Sequence, residues 1–272
     1  MILADKFVYI HSPKTGGTFV TKMLEDLHKN KGLKGRQIQK IGQFLGITRG
    51  GLIDTNITKN TKHGNCRQIP RAFRKKQIFS TIKNPYDLYV SEYEFKWWKK
   101  YPETTLYDVA EVKKAYPNFP DISFANYVRM MDSFFFRKKT LMELGNIENY
   151  PGWQTTRFIW FYFKRPLECL SSPLSEKYFG SEKCQEDMFP VRFLKTENLN
   201  QDLYDFLIEV GYKQNEIKFI LERKKVLPPS PTGEGSRKAK WEEYYTPELK
   251  NFVRKREKFL FFLFPDYDVQ KK

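Results

Sequence analysis

The sequence predicts an α/β protein in which a central parallel β-sheet is flanked by helices. Residues 7–27 and 77–97 carry this prediction, because each segment runs from an apolar, β-prone stretch through a polar loop into a stretch of helical periodicity. Strands that alternate with helices are typical of a parallel sheet covered by helices. At 272 residues, the chain is long enough for one such domain with a sizeable core.

The loop after the first predicted strand has the composition of an anion-binding loop. It lies between the apolar run at 7–10 and a helix-like segment at 19–27. Glycines allow the backbone to approach a ligand, several N–H groups converge there, and the helix N-terminus adds positive potential. The loop therefore predicts a phosphate or sulfate site formed by Lys14, Thr15, Gly16, Gly17 and Thr18. The alternative is a plain glycine turn with a solvated lysine.

The order of residues in this loop differs from that of the nucleoside-triphosphate loop, G-x-x-x-x-G-K-[ST]. Here Lys14 precedes Gly16 and Gly17, and no glycine lies four residues upstream of them. The run of proline, lysine, threonine, two glycines and threonine at 13–18 instead resembles the 5′-phosphosulfate loop of a known family. These are the sulfotransferases that use 3′-phosphoadenosine 5′-phosphosulfate (PAPS).

A second motif follows the predicted strand at 77–82. Asn84 suits the N-cap of a helix and Pro85 its first position. The helix is expected to have an apolar face of Tyr86, Tyr89, Val90, Tyr93 and Trp97. The segment is similar to the family's 3′-phosphate motif, R-N-P-x-D-x-x-x-S-x-Y, which implies that Lys83 and Ser91 bind that phosphate. Lys83 replaces the usual arginine and lacks its bidentate fork. The alternative is a capped amphipathic helix with an ordinary surface lysine.

The chain has three histidines. His28 is expected to be solvated in a polar helix tail, whereas His11 ends the first strand and is a candidate for a structural role or an acceptor contact. His63 lies in a stretch that resembles K-H-x-x-x-x-x-I/L-P of carbohydrate-type and bacterial sulfotransferases, where the histidine serves as base. The resemblance implies the same role here, since an imidazole accepts a hydroxyl proton near neutral pH.

The C-terminal part resembles the family more weakly. Residues 191–207 resemble its strand and helix written L-R-Y-E-D-L, with the helix ending near Gly211, and residues 244–249 resemble Y-Y-T-P-E-L. Residues 228–238 are rich in proline, glycine and serine, which is typical of a flexible surface loop. The resemblance implies that this loop closes over the nucleotide and that Ser236, Arg237 and Lys238 reach the 3′-phosphate.

The middle of the chain, from about 97 to 177, is rich in aromatic residues. Most of them are expected in the core, and some are expected to line an acceptor pocket. Arg157 lies where related enzymes have an N-x-x-x-R pattern near the acceptor, which implies that it contacts the substrate.

Composition favours anionic ligands. Lys and Arg number 48 against 32 Asp and Glu, a net charge of +16. Cys66, Cys169 and Cys184 have no metal-ligand spacing, and their odd number is unlike a disulfide framework, which favours a reducing compartment. The first strand starts near residue 7, and the apolar run at 259–264 is too short to span a bilayer. We therefore expect a cytoplasmic protein without an N-terminal anchor.

The resemblance implies a single sulfotransferase domain over 1–272, with nucleotide-binding elements at 7–27, 77–100 and 191–240 and an acceptor region at about 97–177. It implies PAPS as donor and 3′-phosphoadenosine 5′-phosphate (PAP) as product, with no metal. The acceptor is expected to be a hydroxyl, or an amine, of a small molecule or carbohydrate. Two other classes stay open at this stage: a P-loop-type kinase or phosphotransferase, which needs magnesium, and a non-catalytic basic protein that binds nucleic acid through its charge.

Overall fold

The structure is a computed structural model that describes residues 1–29, 31–59, 62–136, 143, 151–171, 174–224, 226, 231–232 and 239–268. The chain divides into two compact units. Unit 1 comprises Met1–Lys83 and Phe189–Pro228, and unit 2 comprises Asn84–Met188 and Pro229–Lys272. A single functional domain over 1–272 stays a prediction.

The described ranges contain one five-stranded sheet, which lies in unit 1. Its strands are β1 (Ile2–Leu3), β2 (Phe7–Ile10), β3 (Ile53–Asp54), β4 (Gln77–Ile82) and β5 (Val191–Lys195), in the order β3-β1-β2-β4-β5. Strands β2, β4 and β5 are parallel, as expected, but β1 is antiparallel to both β2 and β3. The α/β class is confirmed, while the sheet is mixed. The three-residue turn from β1 to β2 permits only an antiparallel pair, because a parallel neighbour needs a long crossover.

The α-helices of the described ranges, in chain order, surround the sheet in unit 1 and make up most of unit 2. Unit 1 holds α1 (Gly17–Leu27), α2 (Arg36–Leu45), α3 (Thr55–Lys59), α12 (Leu199–Glu209), α13 (Gln214–Ile217) and α14 (Phe219–Glu222). Unit 2 holds α4 (Pro85–Phe95), α5 (Trp97–Lys100), α6 (Val109–Ala115), α7 (Phe124–Phe134), α8 (Trp153–Tyr162), α9 (Pro166–Ser171), α10 (Glu176–Phe179), α11 (Glu182–Asp187), α15 (Pro247–Arg256) and α16 (Lys258–Leu263). None of the helices that the structure describes is long and apolar enough to cross a membrane.

The core of unit 1 is built on the central strand β2, whose four residues are all fully buried. A continuous apolar strand is typical of a position covered on both faces of a sheet. On one face, Tyr9 stacks on Phe79 with ring centroids 4.8 Å apart, and Phe79 meets Phe206 of α12 at 4.4 Å. Apolar residues of α1, α12, α13 and α14 complete this cluster. The core therefore holds β2 and the start of α1 in place.

Helix α4 of unit 2 begins as the sequence predicts and ends earlier. The Asn84 side chain accepts a hydrogen bond from the Tyr86 amide at 2.9 Å, and Pro85 occupies the first turn, so the predicted cap is confirmed. The helix stops at Phe95, because Lys96 takes a left-handed conformation with φ 59°. Trp97 is consequently 45% exposed, and its predicted place on the apolar face of α4 is wrong.

A buried carboxylate organises the aromatic part of unit 2. Glu257 has no solvent exposure, and burial raises its pKa. It accepts hydrogen bonds from the Tyr89 hydroxyl at 2.7 Å and from the amides of Gln154 and Thr155 at 3.2 and 2.8 Å. Helix α8 has Gly152 as N-cap and no capping side chain of its own, so Glu257 satisfies its first N–H groups from a distant position. Most aromatic residues described around this point are buried, as expected for core packing.

His28 is buried, and its predicted solvation is wrong. Its Nδ1 lies 2.8 Å from the Leu24 carbonyl oxygen, and its Nε2 lies 2.8 Å from the Tyr212 hydroxyl. A carbonyl only accepts, so Nδ1 carries the proton and Nε2 accepts from Tyr212. Burial lowers the pKa of His28 and favours this neutral form. The tyrosine is 184 residues away in the chain, which no local pattern indicates.

We expect that the free energy of unfolding of His28→Phe falls less steeply than that of the wild type as the pH is lowered below about 7. A histidine with a lowered folded pKa contributes stability above its unfolded pKa of ~6.5, and the contribution is lost as the pH falls below that value. The loss falls between pH 7.5 and 5.5, and for one group its slope is at most about 1.4 kcal/mol per pH unit. Urea unfolding of both proteins at the two pH values measures the difference. Since every other titrating group is common to both proteins, equal slopes would contradict the assignment.

Candidate anion-binding site

The loop between β2 and α1 has the backbone of an anion nest. Lys14 and Gly16 have φ values of 61° and 90°, whereas Thr15 between them has a negative φ. When left-handed and right-handed backbone conformations alternate, successive N–H groups point toward one place. A left-handed conformation is unfavourable for lysine, and such strain concentrates at functional sites. This backbone conformation is the one that anion-binding loops adopt, and the binding of a negatively charged group stays a prediction.

The N-terminus of α1 adds to this positive potential. Its N-cap is Gly16, and no side chain in the described part of the chain caps it. The first N–H groups of a helix have no partner within the helix, and no acidic residue lies in the first turn. An anion fits here on the chemistry of the donors, because the N–H groups of Gly17 and Thr18 point along the axis toward it. Lys14, in the same loop, is half-buried.

Hydroxyl groups at the carboxyl ends of the parallel strands hold this loop. Thr15 is 1% exposed, and its hydroxyl donates to the Ser12 carbonyl at 3.0 Å and lies 2.7 Å from the Thr81 hydroxyl of β4. The Thr196 hydroxyl, just after β5, lies 3.1 Å from the Thr15 carbonyl oxygen and 2.8 Å from that of Ile82. These contacts join the ends of β2, β4 and β5 at one place.

Thr81 and Thr196 were missed by sequence reasoning, although one signal was available for Thr81. Thr81 and Ser80 form a polar pair near the carboxyl end of β4, next to apolar residues. Such residues at the carboxyl edge of a parallel sheet lie where α/β proteins place their ligands. Thr196 carries no comparable signal.

A side chain is excluded at each of the two loop glycines for a different steric reason. Gly16 combines its positive φ with a close neighbour, since an added Cβ would lie 2.6 Å from Leu199 Cδ2. At Gly17 an added Cβ would lie 2.0 Å from Nε2 of His11. The imidazole of His11 therefore occupies the space that a side chain at position 17 would need, and it lies directly against the start of α1.

His11 and His63 lie together beside the loop. Their ring centroids are 4.8 Å apart, edge to face. His11 is 7% exposed, and burial, together with the charges of His63 and Lys62, lowers its pKa to about 2. It is consequently neutral at physiological pH. The structure thus brings His63, the predicted base, to His11, which lies 52 residues earlier and just before the predicted anion loop.

The tautomer of His63 follows from its hydrogen bond. Its Nδ1 lies 2.9 Å from the His11 carbonyl oxygen, which can only accept, so Nδ1 carries the proton. In the neutral ring, Nε2 is then the basic nitrogen. The His63 residue is exposed to solvent, which leaves the ring accessible. This arrangement suits a general base whose orientation is held by the backbone.

The other predicted site residues belong to the end of β4, to helices of unit 2, or to the part of the chain outside the described ranges. Lys83 directly follows β4 and is half-buried, and Ser91 is half-buried on α4 of unit 2. Arg157, on α8, forms an ion pair with Glu92 at 2.6 Å and lies over the Trp153 ring at 4.2 Å. Their roles stay predictions. Residues Ser236, Arg237 and Lys238 fall outside the part of the chain that is described.

Within the described ranges, the side chains form no metal site, and the cysteines are not placed for catalysis. No group of three or more His, Cys, Asp or Glu side chains in the described ranges is placed to bind a metal ion. The three cysteines are free thiols, all buried, and burial raises the pKa of Cys66 to about 12. These thiols are therefore poor nucleophiles.

We expect Gly17→Ala to destabilise the protein by at least about 1 kcal/mol, although alanine is the better helix former by a similar amount. The new methyl group must displace the buried His11 ring. Urea unfolding of Gly17→Ala, His11→Ala and the double variant measures this, with Thr18→Ala as a control in the same turn. In the His11→Ala background the penalty should largely disappear, and an unchanged penalty would argue against the contact.

Comparison with solved structures shows a likeness in fold. No protein-family model matches the chain, and no curated protein matches it. A crystal structure of the mouse sulfotransferase SULT7A1 complexed with PAP is similar to this chain at 14% sequence identity and a TM-score of 0.41. The match covers 91% of this chain and 81% of the mouse chain. A likeness at this level identifies no acting residue, so the functional assignment depends on the chain's own loop and histidines.

Proposed function

We propose that the protein is a sulfotransferase that moves the sulfuryl group of PAPS to an acceptor hydroxyl, or an amine, of a small molecule or carbohydrate, releasing PAP. The observation that carries the proposal is the anion nest of Lys14 to Gly16 in front of the uncapped α1. The order of its residues resembles the 5′-phosphosulfate loop and differs from that of triphosphate loops. The motif around His63 resembles the bacterial and carbohydrate-type branch.

The loop binds the 5′-phosphosulfate of the donor through backbone N–H groups of residues 15–18. Two features of the loop fit such a group: the first turn of α1 has donors without a capping side chain, and Gly16 offers the backbone without a Cβ. Lys14 adds a positive charge, which offsets the negative charge of the bound phosphosulfate. The assignment of Lys83 and Ser91, with Ser236, Arg237 and Lys238, to the 3′-phosphate rests on the sequence motifs.

His63 acts as the general base in this proposal. Its Nε2 takes the acceptor proton while Nδ1–H stays bonded to the His11 carbonyl, so the ring keeps its orientation as it becomes charged. Neutral His11 beside it adds no positive charge that would oppose the proton. Lys14 neutralises charge that develops on the departing phosphate. Positioning and electrostatics carry most of the catalysis, as in phosphoryl transfer.

Nucleotide binding tests the proposed donor site. We expect PAP to bind without magnesium and far more tightly than ATP, and Lys14→Ala to weaken PAP binding by at least about tenfold. Isothermal titration of both nucleotides measures this. The matched control is Lys22→Ala, which removes the same charge from the exposed side of α1. Equal binding of ATP and PAP, or an equal loss in the control, would rule out the proposed site and favour a phosphotransferase or non-specific attraction.

A second prediction separates chemistry from binding. We expect His63→Ala to lower turnover by ~10²–10⁴-fold while PAP affinity stays unchanged, because a general base contributes about that factor. Single-turnover transfer from labelled PAPS, with the first acceptor found among phenols, alcohols, sugars and amines, measures the rate. Lys62→Ala, the exposed neighbour, is the control. Unchanged turnover in His63→Ala would remove His63 from the mechanism.

A further inference from the structure

Helix α2 presents its apolar side to solvent. Along its outer side, Ile38, Ile41, Phe44 and Leu45 are 53%, 59%, 83% and 56% exposed, and Ile47 just beyond the helix is 47% exposed. We call these five residues the exposed α2 face. A helix packed on a soluble protein normally turns such a stripe toward the core. Contiguous exposed apolar patches of this kind mark interaction surfaces.

The side of α2 that packs on unit 1 is small and polar. Gly42 and Gln43 are buried, and the Gln39 side chain donates to the Leu33 carbonyl at 3.0 Å. An added Cβ on Gly42 would lie 2.2 Å from Leu33 Cδ1, so glycine permits this close packing. The helix therefore packs on unit 1 through its small and polar residues, and its apolar residues lie on the opposite side, which is exposed to solvent.

The surroundings of the exposed α2 face are strongly basic. Residues 27–53 contain no Asp or Glu. The nearby carboxylate of Asp5 is bound by the amide and hydroxyl of Thr48 and by the Gly50 amide. Gly46, at the end of α2, lies against Ala72, which places the 3₁₀ turn at 71–73 next to it. Exposed basic residues on these segments are Lys31, Lys34, Arg36, Lys40, Arg49, Arg71, Arg74 and Lys75.

We propose that the exposed α2 face docks on an anionic lipid bilayer, with its apolar side chains among the acyl chains and the basic residues at the head groups. An apolar face with a basic rim is the pattern of helices that lie in a membrane interface. Anionic head groups attract each lysine or arginine near the surface. A second copy of this chain is a poorer occupant, because pairing the same face would bring two basic rims together in a protein of net charge +16.

Vesicle binding by the full chain tests the proposal. Wild-type protein should float with vesicles of phosphatidylcholine mixed with phosphatidylserine and much less with phosphatidylcholine alone. Ile41→Asp should weaken binding to the anionic vesicles at least about tenfold relative to Ile208→Asp. The control makes the same substitution at an exposed isoleucine (41%) of α12 in the same unit, so both variants replace an exposed isoleucine and gain the same negative charge.

The other results would overturn the proposal. No vesicle binding by the wild type, or equal binding by the two variants, would mean that α2 does not dock and that any attraction comes from total charge. A wild-type dimer in sedimentation that Ile41→Asp dissociates, without vesicle binding, would assign the face to a second copy. Both variants should unfold cooperatively on heating, as the wild type does, and their PAP titration should be unaffected, since Ile41 lies outside the anion loop.

Discussion

The buried threonine at position 15 is the constraint on which the candidate site depends. Its side chain and carbonyl connect to Ser12, Thr81 and Thr196, so the loop after β2 is tied to the ends of β4 and β5. Neighbouring positions 14 and 16 are left-handed, which a free loop would not maintain for lysine. A network of hydrogen-bonded hydroxyl groups, buried at Thr15 and Thr81 and half-buried at Thr196, holds this strained backbone in place. Without these hydrogen bonds, the backbone N–H groups of the loop would not be held pointing toward one place.

Burial of β2 extends this order to the two histidines. His11 continues the strand, and its ring lies under Gly17 and beside His63. The same residue therefore shapes the start of α1 with its side chain and selects the tautomer of His63 with its carbonyl. The proposed chemistry depends on this double use, because the anion loop and the base are positioned by one residue of the central strand.

The positive charge of the protein is arranged in two distinct ways. At the candidate site, one lysine and the end of a helix concentrate positive potential at a half-buried loop, where solvent screens it less than at an exposed surface. Around α2, eight exposed basic residues surround apolar side chains, and each of them is screened by solvent. The first arrangement suits a single small anion. The second suits an extended, negatively charged surface, which is why the two inferences require different tests.

The sequence by itself determined the local elements: the strand and helix at 7–27, the cap at Asn84 and the strand at 191–195, because periodicity and capping are encoded by near neighbours. It also predicted where a glycine-rich loop with a lysine lies between β2 and α1, and the binding of an anion by that loop stays a prediction. Only the tertiary structure decided the antiparallel β1, the burial of His28, the roles of Thr196 and Glu257, and the outward turn of α2. Each of these depends on partners distant in the chain, whose proximity arises from packing and leaves no local pattern.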